Sequence, residues 1–197
     1  MTPRLLVATT NSGKQREFRR LLAHLPAEIV MPAEVGSELD VEEPYDTYAA
    51  NASAKAVAYC AASGLITVAD DSGIEVAELN WGPGVRSARW GSGFGSAADK
   101  LVHRLRGVVD RRARMVCALA IARPGDAEPI VEIFEGHVDG SVAEAPRGGG
   151  GFGYDPIFLL PRGLTTAELP EDEKDRISHR GRAVAAATPR LMELLAE

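Results

Sequence analysis

Leu65-Ile66-Thr67-Val68-Ala69-Asp70-Asp71-Ser72-Gly73 decides how this chain is read. Its apolar, β-branched front half predicts a buried strand, and Asp-Asp-Ser-Gly at its end predicts a tight turn that stops it. Two adjacent carboxylates repel each other unless a cation or basic groups compensate them. The end of a strand is also where open α/β sheets place ligand chemistry. Asp70 and Asp71 therefore suggest a divalent-metal or general-base site, set against the plainer reading of residues that only end a strand.

Working outward toward the N-terminus, Arg4 to Thr9 reads as a buried strand and Thr10-Asn11-Ser12-Gly13 as a turn. Phe18, Leu21, Leu22 and Leu25 then recur at helical spacing within Lys14–Leu25. A short strand, Glu28 to Met31, leads into an acidic loop from Glu34 to Asp46, and Thr47 to Ser63 is an Ala-rich helix stopped at Gly64. Toward the C-terminus, Gly73 to Leu79 reads as a hairpin partner of the Leu65 strand, followed by the loop Asn80-Trp81-Gly82-Pro83-Gly84. Gly91 to Gly95 is glycine-rich and reads as mobile, and a helix reaches Arg106. Ala113–Ala122 and Ile130–Val138 read as antiparallel neighbours around Pro124-Gly125-Asp126. Arg147 to Gly151 is a second glycine-rich loop, Glu168 to Arg180 is polar, and Arg182 to Leu195 is a final helix that Pro189 can kink. With no internal repeat and no long linker, this order predicts a single domain over 1–197. Its fold class is α/β, a mixed sheet flanked by helices and divided into two lobes.

The 197 residues suffice for a substantial core, and a 45% hydrophobic, 25% charged composition is that of an ordinary globular chain. With 22 Lys and Arg against 28 Asp and Glu, the net charge of −6 argues against a nucleic-acid binder, which needs a basic surface. It leaves room for a small phosphorylated ligand held by a few local cations. The two cysteines, Cys60 and Cys117, have apolar neighbours and no metal-ligand spacing, so they read as buried reduced thiols. No apolar run is long enough to span a membrane, and Met1-Thr2-Pro3-Arg4 leads into a short strand rather than a signal sequence. The expected location is the cytoplasm.

Several segments carry groups that suit a phosphorylated ligand. Thr9-Thr10-Asn11-Ser12-Gly13-Lys14 joins a strand to a helix; helix N-terminal N–H groups bind anions, Gly13 permits close approach and Lys14 adds a positive charge. It lacks the first glycine and spacing of a Walker A loop. Glu42 and Glu43 of the acidic loop would, near Asp70 and Asp71, form an oxygen-rich site for Mg²⁺. Asn51 and Lys55 are four residues apart on one helix face and can present an amide and an ammonium to a phosphate or carboxylate. In Gly148–Phe158 the glycines allow a planar ligand to approach, Phe152 and Tyr154 offer ring faces, and Asp155 can accept hydrogen bonds from a base edge. Lys174, Ser178, His179 and Arg180 form a late basic cluster able to hold phosphates or a purine carbonyl.

Taken in order, these segments resemble the noncanonical purine nucleoside triphosphate pyrophosphatases, the inosine/xanthosine triphosphate pyrophosphatase family. The resemblance runs from Leu5 to Leu191. It is carried by Ala8–Lys14, Asn51–Ala56, Ala69–Gly73, Pro83–Arg89, Gly150–Phe158, Thr166–Leu169 and Ser178–Gly181. It implies an elongated central sheet with an active-site cleft between two lobes, a homodimer, and hydrolysis of ITP, dITP or XTP to the monophosphate and pyrophosphate. By position it implies that Thr9, Thr10, Asn11, Ser12, Gly13 and Lys14 bind the triphosphate, with Lys55 among the cations. Glu42 and Asp71 bind Mg²⁺, Asp71 accepts the proton, and Ser72 touches substrate. Phe152, Gly153, Tyr154, Asp155, Lys174, His179 and Arg180 hold the nucleotide. The chain departs from the family in having Ala50 where a glutamate often precedes the asparagine, and in its short Gly91–Gly95 stretch. Two alternatives stand beside this reading: a related pyrophosphatase for modified pyrimidine nucleotides, and a noncatalytic nucleotide sensor.

Overall fold

The expected turn at Asp70–Gly73 does not form. In the computed structural model, which describes residues 2–91 and 96–196, strand β3 runs unbroken from Ile66 to Val76. Ser92–Gly95, most of the glycine-rich stretch, lie outside the described residues. Turn-forming residues yield here to pairing and burial. β1 (Arg4–Val7) lies parallel to the first half of β3, with Val7 opposite Val68. The second half pairs antiparallel with the two-residue β4 (Gly82–Pro83), Glu75 opposite Pro83. Gly73–Val76 is thus a continuation of the strand and not its hairpin partner. Residues of a surface turn would be solvated, whereas Asp70 is 0% and Asp71 7% exposed.

Local signals set most other elements. Helix α1 (Ser12–Leu21) starts where the Asn11 side chain accepts from Lys14 N, and β2 (Glu28–Val30) then pairs parallel with β1. Helix α2 (Tyr48–Ser63) is capped by the Thr47 side chain and ended by Gly64 at φ +69°, a left-handed conformation in which glycine carries no Cβ penalty. Helix α3 (Ala97–Arg104) is capped by Ser96, and the long strands β5 (Arg112–Arg123) and β6 (Ile130–Val142) follow. A connection this short permits only antiparallel neighbours. β7 (Phe158–Leu159) pairs antiparallel with the end of β6, giving a mixed sheet in the order β2-β1-β3-β5-β6-β7 with β4 beside β3. Helix α4 (Glu171–Ile177) precedes α5 (His179–Leu194). α5 starts at His179 rather than the expected Arg182, because Ser178 Oγ accepts from Gly181 N at 3.0 Å and caps the first turn, and it continues through Pro189.

The chain divides into two compact units, one of Met1–Asp71, Cys117–Gly136 and Arg182–Glu197, the other of Ser72–Val116 and His137–Gly181. β3, β5 and β6 each contribute to both.

In the first unit the period-2 alternation of the strands sorts two cores. Leu5, Val7, Val68, Cys117, Leu119 and Ile121 pack with Phe18 and Leu22 and with Val184, Ala187 and Leu191 of α5. Leu6, Ala8, Ala69, Ala118, Ala120 and Ala122 face the other way, onto Ala52, Ala56, Tyr59 and Cys60 of α2. The alternating Ala-Leu-Ala-Ile-Ala of β5 thus gives large side chains to one face and methyl groups to the other, so an Ala-rich helix can lie close against it. An added isobutyl group has no room there: Ala120→Leu is expected to lose about 1–3 kcal/mol of unfolding free energy by overpacking, measured by urea denaturation. The second unit has its own core, in which Ile74, Val76, Leu101, Leu105, Ile157 and Phe158 meet. Both cysteines are free and buried, and burial pushes the Cys60 thiol up. No helix of the described residues is long and apolar enough to cross a membrane.

Candidate active site

Adjacent residues of a strand point to opposite faces, so Asp70 and Asp71 have different neighbours. Asp70 shares the face of Val68. Its Oδ1 lies 3.0 Å from Lys14 Nζ, and Cys117 Sγ is 3.9 Å from its Oδ2. Asp71 shares the face of Ala69, where α2 lies: Asn51 Nδ2 donates to its Oδ2 at 3.0 Å. Burial raises the Asp71 pKa and the Glu43 charge adds to this, while the Asn51 hydrogen bond and the charges of Lys14 and Lys55 oppose it. Burial alone would lower the Lys55 pKa, but the negative charges of Asp70, Glu43 and Asp71 outweigh it and hold the ammonium charged.

The loop from Thr9 to Lys14 sits at the start of α1, whose first-turn N–H groups have no partner within the helix. Thr9 is buried, with its Oγ1 3.3 Å from Asn11 N and its carbonyl accepting from Gln15 Nε2 at 2.9 Å. Gly13 is buried, while Thr10, Asn11 and Ser12 are exposed, an open cradle with Lys14 at its end. Of the acidic loop, Glu42 is exposed and Glu43 half-buried in an ion pair with Lys55. The structure therefore brings Glu43 toward the Asp71 carboxylate, with its neighbour Glu42 at the surface. Among the described residues no three His, Cys, Asp or Glu side chains converge. The carboxylates at hand, Asp71 with Glu42 and Glu43 of the acidic loop, are hard oxygen donors, and Asp71 is buried and destabilised as an anion. That set fits a divalent cation such as Mg²⁺, which takes one or two carboxylates and completes its shell with water and phosphate oxygens.

The remaining candidates belong to the second unit, which begins at Ser72. Arg180, 3% exposed, donates from Nη2 to Ser72 Oγ at 2.9 Å. The half-buried Phe152 ring has Lys174 Nζ 5.3 Å and the Arg180 guanidinium 5.7 Å from its centroid, within reach of cation–π attraction. His179 is buried at the start of α5. Gly153 is exposed, and Tyr154 is buried with its hydroxyl donating to Ser87 O at 2.8 Å. Burial raises the Tyr154 pKa, so the phenol stays protonated and serves as a brace.

Asp155, expected as an acceptor for a base edge, has its carboxylate held by donors inside the protein. Its Oδ2 accepts from Lys174 Nζ and from Phe152 N, both at 2.7 Å, and its Oδ1 from Thr166 Oγ1 at 2.9 Å. Burial forces this: a 3%-exposed carboxylate must find donors inside the protein. A Cβ at Gly151 would come 2.2 Å from Asp155 Oδ2, so the glycine there keeps the loop close on the carboxylate. Lys174 is likewise a buried ion-pair partner rather than an open surface cation.

Thr166 supports Asp155 from eleven residues away, with no periodic signal in the sequence to reveal it. Asn51, expected to present an amide to a phosphate or carboxylate, gives it to the Asp71 carboxylate; a polar residue in an Ala-rich face that packs on a sheet is the signal that marks it.

A family model described as the Ham1 family matches residues 5–190. The chain is 44% identical over 196 residues to a dITP/XTP pyrophosphatase of Nostoc sp., covering 99% of this chain and 97% of that one. It is 46% identical over 202 residues to a dITP/XTP pyrophosphatase of Symbiobacterium thermophilum, covering 98% of both. Among solved structures, a HAM1 protein from Coxiella burnetii superposes with a TM-score of 0.84 at 36% identity, over 97% of this chain and 99% of that one. A dITP/XTP pyrophosphatase from Mycobacterium abscessus gives 0.72 at 40% identity, over 94% and 99%.

Proposed function

Since the chain belongs to the Ham1 family, we propose that it hydrolyses noncanonical purine nucleoside triphosphates (ITP, dITP, XTP) to the monophosphate and pyrophosphate, and so clears them from the nucleotide pool. The observation that carries this is the buried Asp71 carboxylate, held by Asn51 under the charges of Lys14 and Lys55, in a chain whose full-length relatives bear that activity in their names.

A water molecule attacks the α-phosphorus in line with the bridging oxygen to the β-phosphate. The new P–O bond gives the monophosphate, the bridging bond breaks, and pyrophosphate leaves with the electron pair. Asp71 takes the proton of the attacking water, a task its raised pKa suits. Thr9 to Lys14 cradle the triphosphate with first-turn N–H groups and the Lys14 ammonium, and Lys55 adds positive charge where negative charge builds. Mg²⁺, which Asp71 and the exposed Glu42 would hold, supplies a lowered water pKa and charge neutralisation on the phosphates. Phe152 offers its ring face to the base, Lys174 and Arg180 lie within cation–π reach of that ring, and His179 is a further nucleotide contact. A donor directed at the 6-oxo group of hypoxanthine or xanthine meets the exocyclic amine of adenine as an unpaired polar contact, which disfavours the adenine nucleotide. On this reading the protein works as a homodimer in the cytoplasm, and light scattering on the purified chain tests the dimer.

The reaction is checked by incubating the protein and Mg²⁺ separately with ITP, dITP, XTP, GTP, ATP and modified pyrimidine triphosphates. Monophosphate plus pyrophosphate, formed faster from the first three, is the expected result. Stepwise release of single phosphates overturns the α-phosphorus route. Preference for modified pyrimidines, or tight binding without turnover, selects the pyrimidine enzyme or the nucleotide sensor instead.

A further inference from the structure

The acidic loop is held along one face of α2. It comprises the twelve residues between a 3₁₀ turn ending at Val35 and the start of α2 at Tyr48, a length at which loops without regular structure are commonly functional. At its near end Asn51 grips the Tyr45 backbone twice: Oδ1 accepts from Tyr45 N at 3.0 Å and Nδ2 donates to Tyr45 O at 3.1 Å. At its far end the Tyr59 hydroxyl does the same for Leu39, accepting from its N at 3.1 Å and donating to its O at 2.9 Å. Lys55 pairs with Glu43 between them. Asn51, Lys55 and Tyr59 are spaced i, i+4, i+8, a stripe on one helix face, and they meet Tyr45, Glu43 and Leu39 in reverse chain order. The helix thus sets the register of the loop. Of the three, Asn51 also donates to Asp71 Oδ2, at 3.0 Å. Its three contacts use both amide hydrogens and the carbonyl oxygen, and the residue is 2% exposed.

We propose that Asn51 is the positioning residue of this site: a single amide that couples the acidic loop to the Asp71 carboxylate, so that both arrive in one fixed register, while Tyr59 anchors the loop at a distance. The proposal rests on the pyrophosphatase reading for its kinetic consequence and on geometry alone for the clamp. A side chain that orients another catalytic or metal-binding carboxylate affects turnover without touching substrate.

Four variants test it, each first checked by circular dichroism for a folded melting transition. Asn51→Ala is expected to lower kcat with ITP roughly 10- to 100-fold at little changed KM, the usual cost of removing an orienting partner. Hydrogen exchange at the Tyr45 amide accelerates in it, while that at Leu39 does not. Asn51→Asp keeps an oxygen for Tyr45 N but cannot donate to Asp71. It should retain protection at Tyr45 and still lose as much kcat as the alanine variant, a split that a merely structural role does not produce. Tyr59→Phe should release the Leu39 amide with only a small loss in kcat. Asp71→Asn, which removes the anionic acceptor, should shift the Asn51 side-chain amide resonances. A folded Asn51→Ala enzyme with wild-type kcat, a Tyr45 amide still protected in it, or an Asn51→Asp enzyme with wild-type kcat overturns the proposal. A wild-type protein without turnover overturns the proposed function instead; Tyr45 exchange and the Asn51 resonances then decide the clamp.

Discussion

Asp71→Asn is expected to lose about 10²–10⁴-fold in kcat, the usual contribution of a general base, while the metal-free variant melts at a higher temperature than the wild type at neutral pH. The two effects share one cause. Burial raises the Asp71 pKa, with the Glu43 charge adding to it, so the folded state holds that proton more tightly than the unfolded chain does. With more protons bound by the folded state, stability falls as pH rises from the ordinary aspartate range through the raised value, and the deficit persists above it. Asparagine carries no charge to bury, so the gain in melting temperature should be present at neutral pH and vanish in strong acid. Mg²⁺ should raise the melting temperature of the wild type and leave that of the variant unchanged, because a ligand that binds only the folded state stabilises it. A variant that keeps wild-type turnover removes Asp71 from the chemistry; one that melts lower at neutral pH shows that the carboxylate is not the burden its burial implies. This is the trade of stability for function common at active sites.

Asp155→Ala is expected to lose about 3–5 kcal/mol, because it leaves the Lys174 ammonium buried with its principal counter-charge gone. The pair is 2.7 Å apart with side chains 5% and 4% exposed, so water cannot easily replace the lost carboxylate. Phe152 N loses its acceptor at the same time, Thr166 Oγ1 keeps only the Asp155 backbone carbonyl, and the loop that presents the Phe152 ring loses its anchor. The double variant Asp155→Ala/Lys174→Met should recover much of the loss, since removing both charges leaves no uncompensated ion. Urea denaturation of the single and double variants measures both quantities. A loss below about 1 kcal/mol in the single variant would assign the pair to the weak class of solvated ion pairs.

Much of this was legible along the chain. The Ala-rich helix was readable from Thr47 to Gly64 because capping is chemistry between residues three or four apart, and α1 was readable from its apolar spacing. The mixed α/β character followed from the alternation of strand and helix signals. Asp71 was readable as the carboxylate to watch, through companion motifs spread over the whole chain. Where the reading failed, local chemistry met a stronger tertiary term. Asp-Asp-Ser-Gly has the composition of a turn, yet it lies in mid-strand, because β1 and β4 pair with the chain on either side, with Lys14 ion-paired to Asp70 and Asn51 donating to Asp71. At Asp155 the ion pair with Lys174, nineteen positions away, is likewise invisible to local chemistry.

The order of strands and helices, their caps and the residue types of the site are therefore properties of the sequence, since short-range sterics and periodicity govern them. Which of two adjacent aspartates meets Lys14 and which meets Asn51, that Glu43 rather than Glu42 pairs with Lys55, and that Asp155 is spent on Lys174 were settled only by the fold. Those pairings join residues between 12 and 56 positions apart. Their partners are selected by strand parity and burial, and no local pattern encodes either one until the sheet has assembled.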